Sequence, residues 1–145
     1  MDKEVFEDKF KVMQIDPDNK TPFRNVSRVH IVSKSSNQNR RQIELDINIQ
    51  IYPVNLKEQF LVKVTNCDNV KNVYSHDDLN RPSEKDSYEY VMYGVVFELE
   101  EKGGEITAYA SFGGLLMRVS GGPEAMSKFR HEGKEARVFL MMKKA

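Results

Sequence analysis

Two alternating runs, Tyr88 to Glu100 and Ile106 to Val119, flank the short polar connection Glu101-Lys102-Gly103-Gly104-Glu105. Paired glycines take φ > 0 without steric cost, as a tight hairpin turn demands. The stretch therefore predicts two long antiparallel strands that the rest of the chain must cover. In the first, Val91, Tyr93, Val95, Phe97 and Leu99 share one face, and Tyr88, Tyr90, Met92 and Val96 supply much of the other. In the second, Ile106, Ala108, Ala110, Phe112, Gly114 and Leu116 alternate with Thr107, Tyr109, Ser111, Gly113, Leu115 and Met117. Gly113 and Gly114 interrupt that strand; two glycines pack no side chain, so they predict a sharp bend at a barrel corner.

Further strands are expected over Val5 to Ile15 and Val26 to Ser33. From Ile43 to Tyr52, Ile43, Leu45, Ile47, Ile49 and Ile51 alternate without a break against Glu44, Asp46, Asn48 and Gln50, one face core and one polar. Pro53 stops that strand, and Asn55 to Glu58 predict a hairpin turn into Phe60 to Thr65. Residues 66–87 carry no sustained period and read as one long loop. Glu124 to Arg130 suits a helical turn, Arg137 to Met142 reads as a last strand, and no internal repeat is evident. The sum is an all-β chain, a single domain over 1–145: a small antiparallel OB-like barrel of roughly eight strand segments, its lumen filled by side chains.

Composition limits the function. Lys plus Arg and Asp plus Glu both number 22, so no general attraction to nucleic acid is expected and any basic surface must be local. A single cysteine, Cys67, forms no internal disulfide and suits a reducing compartment. With no basic and apolar leader and no apolar run of membrane-spanning length, a soluble, intracellular protein without membrane contact is expected.

Chemical motifs are weak. His30, His76, His131 and Cys67 have no metal-ligand spacing, and Asp16, Asp18 and Asn19 read as a turn rather than a calcium loop. Cys67 with His76, and the acid pairs Asp77-Asp78 and Glu100-Glu101, read as an ordinary thiol and surface charges. No glycine pair leads into Gly-Lys-Ser/Thr, so no phosphate loop is expected. No catalytic residue, cofactor, metal or small-molecule substrate is assigned. Tyr88, Tyr90, Tyr93, Tyr109 and Phe112 with Arg28 and Arg118 suit a single-strand nucleic-acid platform, the alternative reading. A docking surface is preferred, because Tyr, Phe, Met and Arg are enriched at interface cores. It falls on Tyr88, Tyr90, Met92, Tyr93, Phe112, Gly113, Gly114, Leu115, Leu116, Met117 and Arg118.

Several ordered words also carry a family resemblance: Phe6-Glu7-Asp8, Ile15-Asp16-Pro17, Val26-Ser27-Arg28 and Leu45-Asp46-Ile47-Asn48-Ile49-Gln50-Ile51-Tyr52-Pro53-Val54. They continue with Arg81-Pro82-Ser83, Tyr88-Glu89-Tyr90-Val91-Met92-Tyr93-Gly94, Tyr109-Ala110-Ser111-Phe112-Gly113-Gly114-Leu115-Leu116-Met117-Arg118 and Leu140-Met141-Met142-Lys143-Lys144. The chain resembles, nearly end to end, the small subunit shared by eukaryotic nuclear RNA polymerases I, II and III, the eighth in the polymerase II series. The resemblance implies an OB-related barrel with a large Ω-like loop matching 66–87, and a non-catalytic role in the nucleus, including the nucleolus. It further implies docking on the largest subunits of the three polymerases and a possible weak contact with single-stranded DNA.

Overall fold

Alternation of apolar and polar residues builds one continuous inner wall. Phe10, Val29, Ile31, Ile43, Leu45, Phe60, Val62, Val64, Ala108, Val119 and Leu140 all turn inward and are shut off from solvent. A computed structural model describes residues 3–16, 24–34, 40–66, 84–132 and 135–145. Its strands are β1 (Lys3–Ile15), β2 (Val26–Ser33), β3 (Arg41–Asn48), β4 (Gln59–Asn66), β5 (Tyr90–Lys102), β6 (Glu105–Phe112), β7 (Leu115–Gly121) and β8 (Arg137–Lys144). A 3-10 turn at Glu84–Ser87 precedes β5, and a short helix, α1 (Ser127–Glu132), precedes β8. All pairs are antiparallel, and the strands close in the order β1-β2-β3-β7-β6-β5-β8-β4. The expected small barrel is thus present, and each described strand lies between two neighbours in the closed order.

The strand order contains two Greek keys, β4-β1-β2-β3 and β8-β5-β6-β7, joined by β3 to β7 and β4 to β8. Their correspondence reaches single residues. Val12 N–H donates to the Glu58 carbonyl and Lys57 N–H to that of Val12; Val96 N–H donates to the Ala136 carbonyl and Glu135 N–H to that of Val96. Lys57 and Glu135 share the left-handed conformation, at φ 69° and 68°. The bulge between Val12 and Gln14 matches that between Val96 and Glu98. The two-fold relation passes through the pairs Glu44↔Arg118 and Lys63↔Met141. Matched inner positions differ in size, Phe10 against Gly94 and Ile31 against Ala110, because both halves fill one lumen.

The connections that complete each key plug opposite ends. Between β3 and β4, Tyr52 and Val54 turn inward, and the Tyr52 ring stacks on Tyr90 at 5.1 Å. Between β7 and β8, Ala125, Met126 and Phe129 turn inward, and Phe129 packs against Phe6 at 5.9 Å.

Four sequence expectations are corrected. Ile106 to Val119 is not one bent strand: Gly113 and Gly114, at φ 64° and 97°, make a hairpin turn between β6 and β7. The strand expected over Ile43 to Tyr52 ends at Asn48, whose Oδ1 accepts the Gln50 and Ile51 N–H groups and bends the chain. Ile49 and Ile51 are exposed in consequence. The β3 to β4 connection is no hairpin, since β4 lies between β1 and β8. Nor does β5 begin at Tyr88; it runs from Tyr90 to Lys102, and its bulge lets Leu99 leave the face of Tyr93 and pack on the core. Most of the loop expected over 66–87 lies outside the described residues.

Candidate docking surface

Before its bulge, β5 sends Tyr90, Met92 and Val96 inward, so Val91, Tyr93 and Val95 line the outer wall, and Phe97 at the bulge is also exposed. Val91, Tyr93, Phe97 and Leu116 are 37%, 39%, 49% and 43% exposed, high for apolar and aromatic side chains on one wall. Strand register ties them together. Val95 pairs with Ser111, and Ser111 with Leu116, which brings the β7 leucine beside the β5 stripe. The Phe97 ring lies 6.2 Å from Tyr109, and Tyr93 lies 5.0 Å from Phe139. Phe139 and Met141 point outward from β8 yet are buried, so the apolar character continues across that strand. An exposed apolar patch of this kind marks an interaction surface when its members are contiguous.

The residues expected to dock divide between wall and interior. Tyr93, Leu116 and Arg118 are outside, and Gly113 and Gly114 form an exposed turn. Tyr88 is half-buried, with the Lys143 ammonium 4.7 Å over its ring. Phe112 and Met117 are core; Met92 and Leu115 are half-buried against it. Tyr90 is buried, and its hydroxyl accepts the Asn48 N–H at 3.3 Å. Burial pushes the Tyr90 phenol up. The wall therefore does not bring together the aromatic platform expected for nucleic acid, since Tyr90 and Phe112 are interior.

Two carboxylate clusters tie strands and connections together. Asp46 points outward from β3 but is fully buried; it accepts Arg28 Nε at 2.8 Å, Arg28 Nη2 at 3.2 Å and the Leu116 N–H at 3.0 Å. That hydrogen bonding raises the Arg28 pKa. Asp16, at the end of β1 with φ 48°, accepts the Ser27 hydroxyl at 2.8 Å and the Arg28 N–H at 2.9 Å. At the other cluster, the Tyr52 hydroxyl donates to Glu89 Oε1 at 2.5 Å, which also accepts the Lys144 N–H at 2.9 Å. The Tyr52 bond holds Glu89 below the usual carboxylate range, while burial, then that bond, pushes the Tyr52 phenol up. Sequence reading missed Asp46 as an anchor, because an acid alternating with isoleucines reads as solvent-facing.

Among the described residues, no three His, Cys, Asp or Glu side chains are grouped to hold a metal. Cys67, His76, Asp77 and Asp78, with Asp18 and Asn19 of the turn cluster, lie outside the described residues. A polar depression of about 90 Å³ beside His30, Glu44, Arg118 and Ser120 is small for an organic ligand. Arg118 is held there by Glu44 at 2.7 Å.

The family model described as RNA polymerase Rpb8 matches residues 7–144. A Dictyostelium discoideum protein named "DNA-directed RNA polymerases I, II, and III subunit rpabc3" is 36% identical, over 97% of both chains. A Saccharomyces cerevisiae subunit RPABC3 of the same three polymerases is 30% identical over 91% of this chain and 94% of its own. An Arabidopsis thaliana protein named subunit 8B of polymerases II, IV and V is 32% identical over 97% and 95%.

Proposed function

The chain belongs to the RNA polymerase Rpb8 family and is a non-catalytic shared subunit of DNA-directed RNA polymerase, and from that premise we propose that it docks on the largest polymerase subunits through the outer wall of β5 to β7. It takes part in transcription within a nuclear complex of several subunits. The largest subunits of polymerases I, II and III are its direct partners, and through polymerase I it also reaches the nucleolus. Its work is assembly and stability rather than chemistry.

The observation that carries the docking reading is the set of exposed apolar side chains on the outer wall, Val91, Tyr93 and Phe97 along β5 and Leu116 on β7, where Asp46, on the same outer face, accepts the Leu116 N–H. A preformed stripe on a closed barrel loses little conformational entropy when a partner covers it. The single-strand binding alternative is less well supported. Arg28 and Arg118, the two arginines of the expected platform, are paired with Asp46 and Glu44 and offer no continuous basic track.

Affinity purification of the tagged chain from its native cells tests the proposal. The largest subunits of all three polymerases should co-purify, and chemical cross-linking should join them to the β5 to β7 wall. Recovery of the chain as a free monomer overturns it.

A further inference from the structure

The barrel is closed by strands, but one stretch of strand edge outlives its partner. β8 leaves β5 at the pair Val95↔Arg137, and the last cross-bonds on that side join Val96 to Glu135 and Ala136. β5 then continues to Lys102 with β6 alone as its ladder partner among the described residues. Alternate residues of this run turn their backbone groups away from β6. Leu99 is one: its N–H is taken by the neighbouring Glu98 Oε1 at 3.2 Å rather than by β6. Two residues on, Glu101 has the same orientation.

We propose that the β5 edge from Phe97 to Lys102 accepts, as an added strand, an extended segment of another polymerase subunit rich in lysine and arginine. The proposal rests on the chain being a polymerase subunit and specifies a second element of its docking. Three features define the occupant. The edge begins at exposed Phe97, the end of the apolar stripe, so a partner on that wall reaches the edge without a gap. The ribbon carries Glu98, Glu100, Glu101 and Glu105 against Lys102 alone, which matches a basic strand. Arg130 already approaches Glu101 at 3.4 Å, a basic side chain on an acidic edge in the manner the added strand would repeat. Backbone bonds supply affinity in strand addition, and the facing side chains supply selectivity.

Hydrogen exchange on the free chain and on the assembled polymerase tests this. The Leu99 and Glu101 amides should exchange about ten-fold more slowly in the complex. Glu101→Pro removes one outward N–H at an exposed position and should lower incorporation about ten-fold, whereas Glu101→Gln lowers it far less. A benzophenone cross-linker at Lys102 should capture a segment bearing Lys or Arg. If the edge amides exchange equally fast in both states while Tyr93→Ala still blocks incorporation, the wall docks and the added strand is wrong. If neither wall nor edge variants change incorporation, the docking reading fails with it. Capture of an acidic or neutral segment overturns the assigned partner chemistry, and the edge acids then serve only to keep stray strands away.

Discussion

Arg28 grips Asp46 across β2 and β3 with two bonds, Nε to Oδ1 at 2.8 Å and Nη2 to Oδ2 at 3.2 Å, the carboxylate fully buried and the guanidinium partly in solvent. Asp46 sits where the β3 to β7 ladder ends, and it accepts the Leu116 N–H in place of a strand carbonyl. One carboxylate therefore fastens three strands on the outer wall.

Arg28→Ala should destabilise the barrel by about 3 kcal/mol, since it strands a buried charge; partial solvation of the arginine keeps the loss at the lower end of the range for broken buried pairs. The double variant Arg28→Ala with Asp46→Ala should lose less than the two single losses added together, because no charge is then left unpaired. Urea unfolding followed by circular dichroism measures both, and strict additivity would show that the pair is not coupled.

Tyr93→Ala and Leu116→Ala should each weaken incorporation into polymerase by about 2 kcal/mol, the scale of an interface hot spot, while stability falls by about 1 kcal/mol or less. Both side chains point to solvent, and the Leu116 N–H bond to Asp46 survives truncation. Quantitative co-purification paired with thermal melting separates docking from folding. Met117→Ala is the contrasting variant: its side chain is core, so loss of stability should come first.

The sequence shows where strands lie better than how they connect. Val26 to Ser33 matches β2 end to end, and Gly103 and Gly104 do take positive φ at the predicted turn. The strands expected to end at Tyr52 and to begin at Phe60 suggest a hairpin, as neighbouring strands usually form, but the intervening residues bury Tyr52 across the barrel mouth instead. The two-fold repeat is invisible in the sequence because shared lumen space forces opposite sizes at matched positions, as at Phe10 and Gly94. On the site, Tyr90 and Tyr93 look alike in a strand apolar on both faces. Only closure of the barrel decides that the first is interior and the second exposed.

The Tyr52 to Glu89 bond makes stability fall at both extremes of pH. Glu89 has a depressed folded pKa, so its contribution is present above the ordinary carboxylate value, about 4.3, and is lost as pH falls through the folded value. Tyr52 has a raised folded pKa, so its contribution is complete below about 10, the ordinary phenol value, and declines as pH rises beyond it. Tyr52→Phe should flatten the acid limb, since Glu89 loses its strongest partner, and should remove that phenol's share of the alkaline limb. Absorbance titration of the six tyrosines should show Tyr52 and Tyr90 ionising late in the native protein and at the ordinary value in urea. Uniform ionisation in the native state would contradict the burial of both rings.

Gly94 and Gly113 separate two reasons for a glycine. At Gly94 the backbone is ordinary, but a Cβ would stand 2.2 Å from the Ser111 carbonyl oxygen and 2.6 Å from Phe112 Cδ1. There β5 crosses from β8 to β6, and Phe112 occupies the space that Phe10 fills in the other half of the barrel. The oxygen is backbone and cannot rotate aside, so Gly94→Ala must part β5 from β6 and should cost about 3 kcal/mol or more. At Gly113 a Cβ meets nothing within 4 Å, and the only penalty is φ 64°, about 1–2 kcal/mol for an L side chain. Gly113→Asn should recover part of that loss, because asparagine tolerates the left-handed conformation, whereas Gly94→Asn should be worse than Gly94→Ala. Denaturant midpoints of the four variants check this ordering. Rescue by asparagine at Gly94 would mean that conformation rather than contact fixes the residue where β5 changes partners.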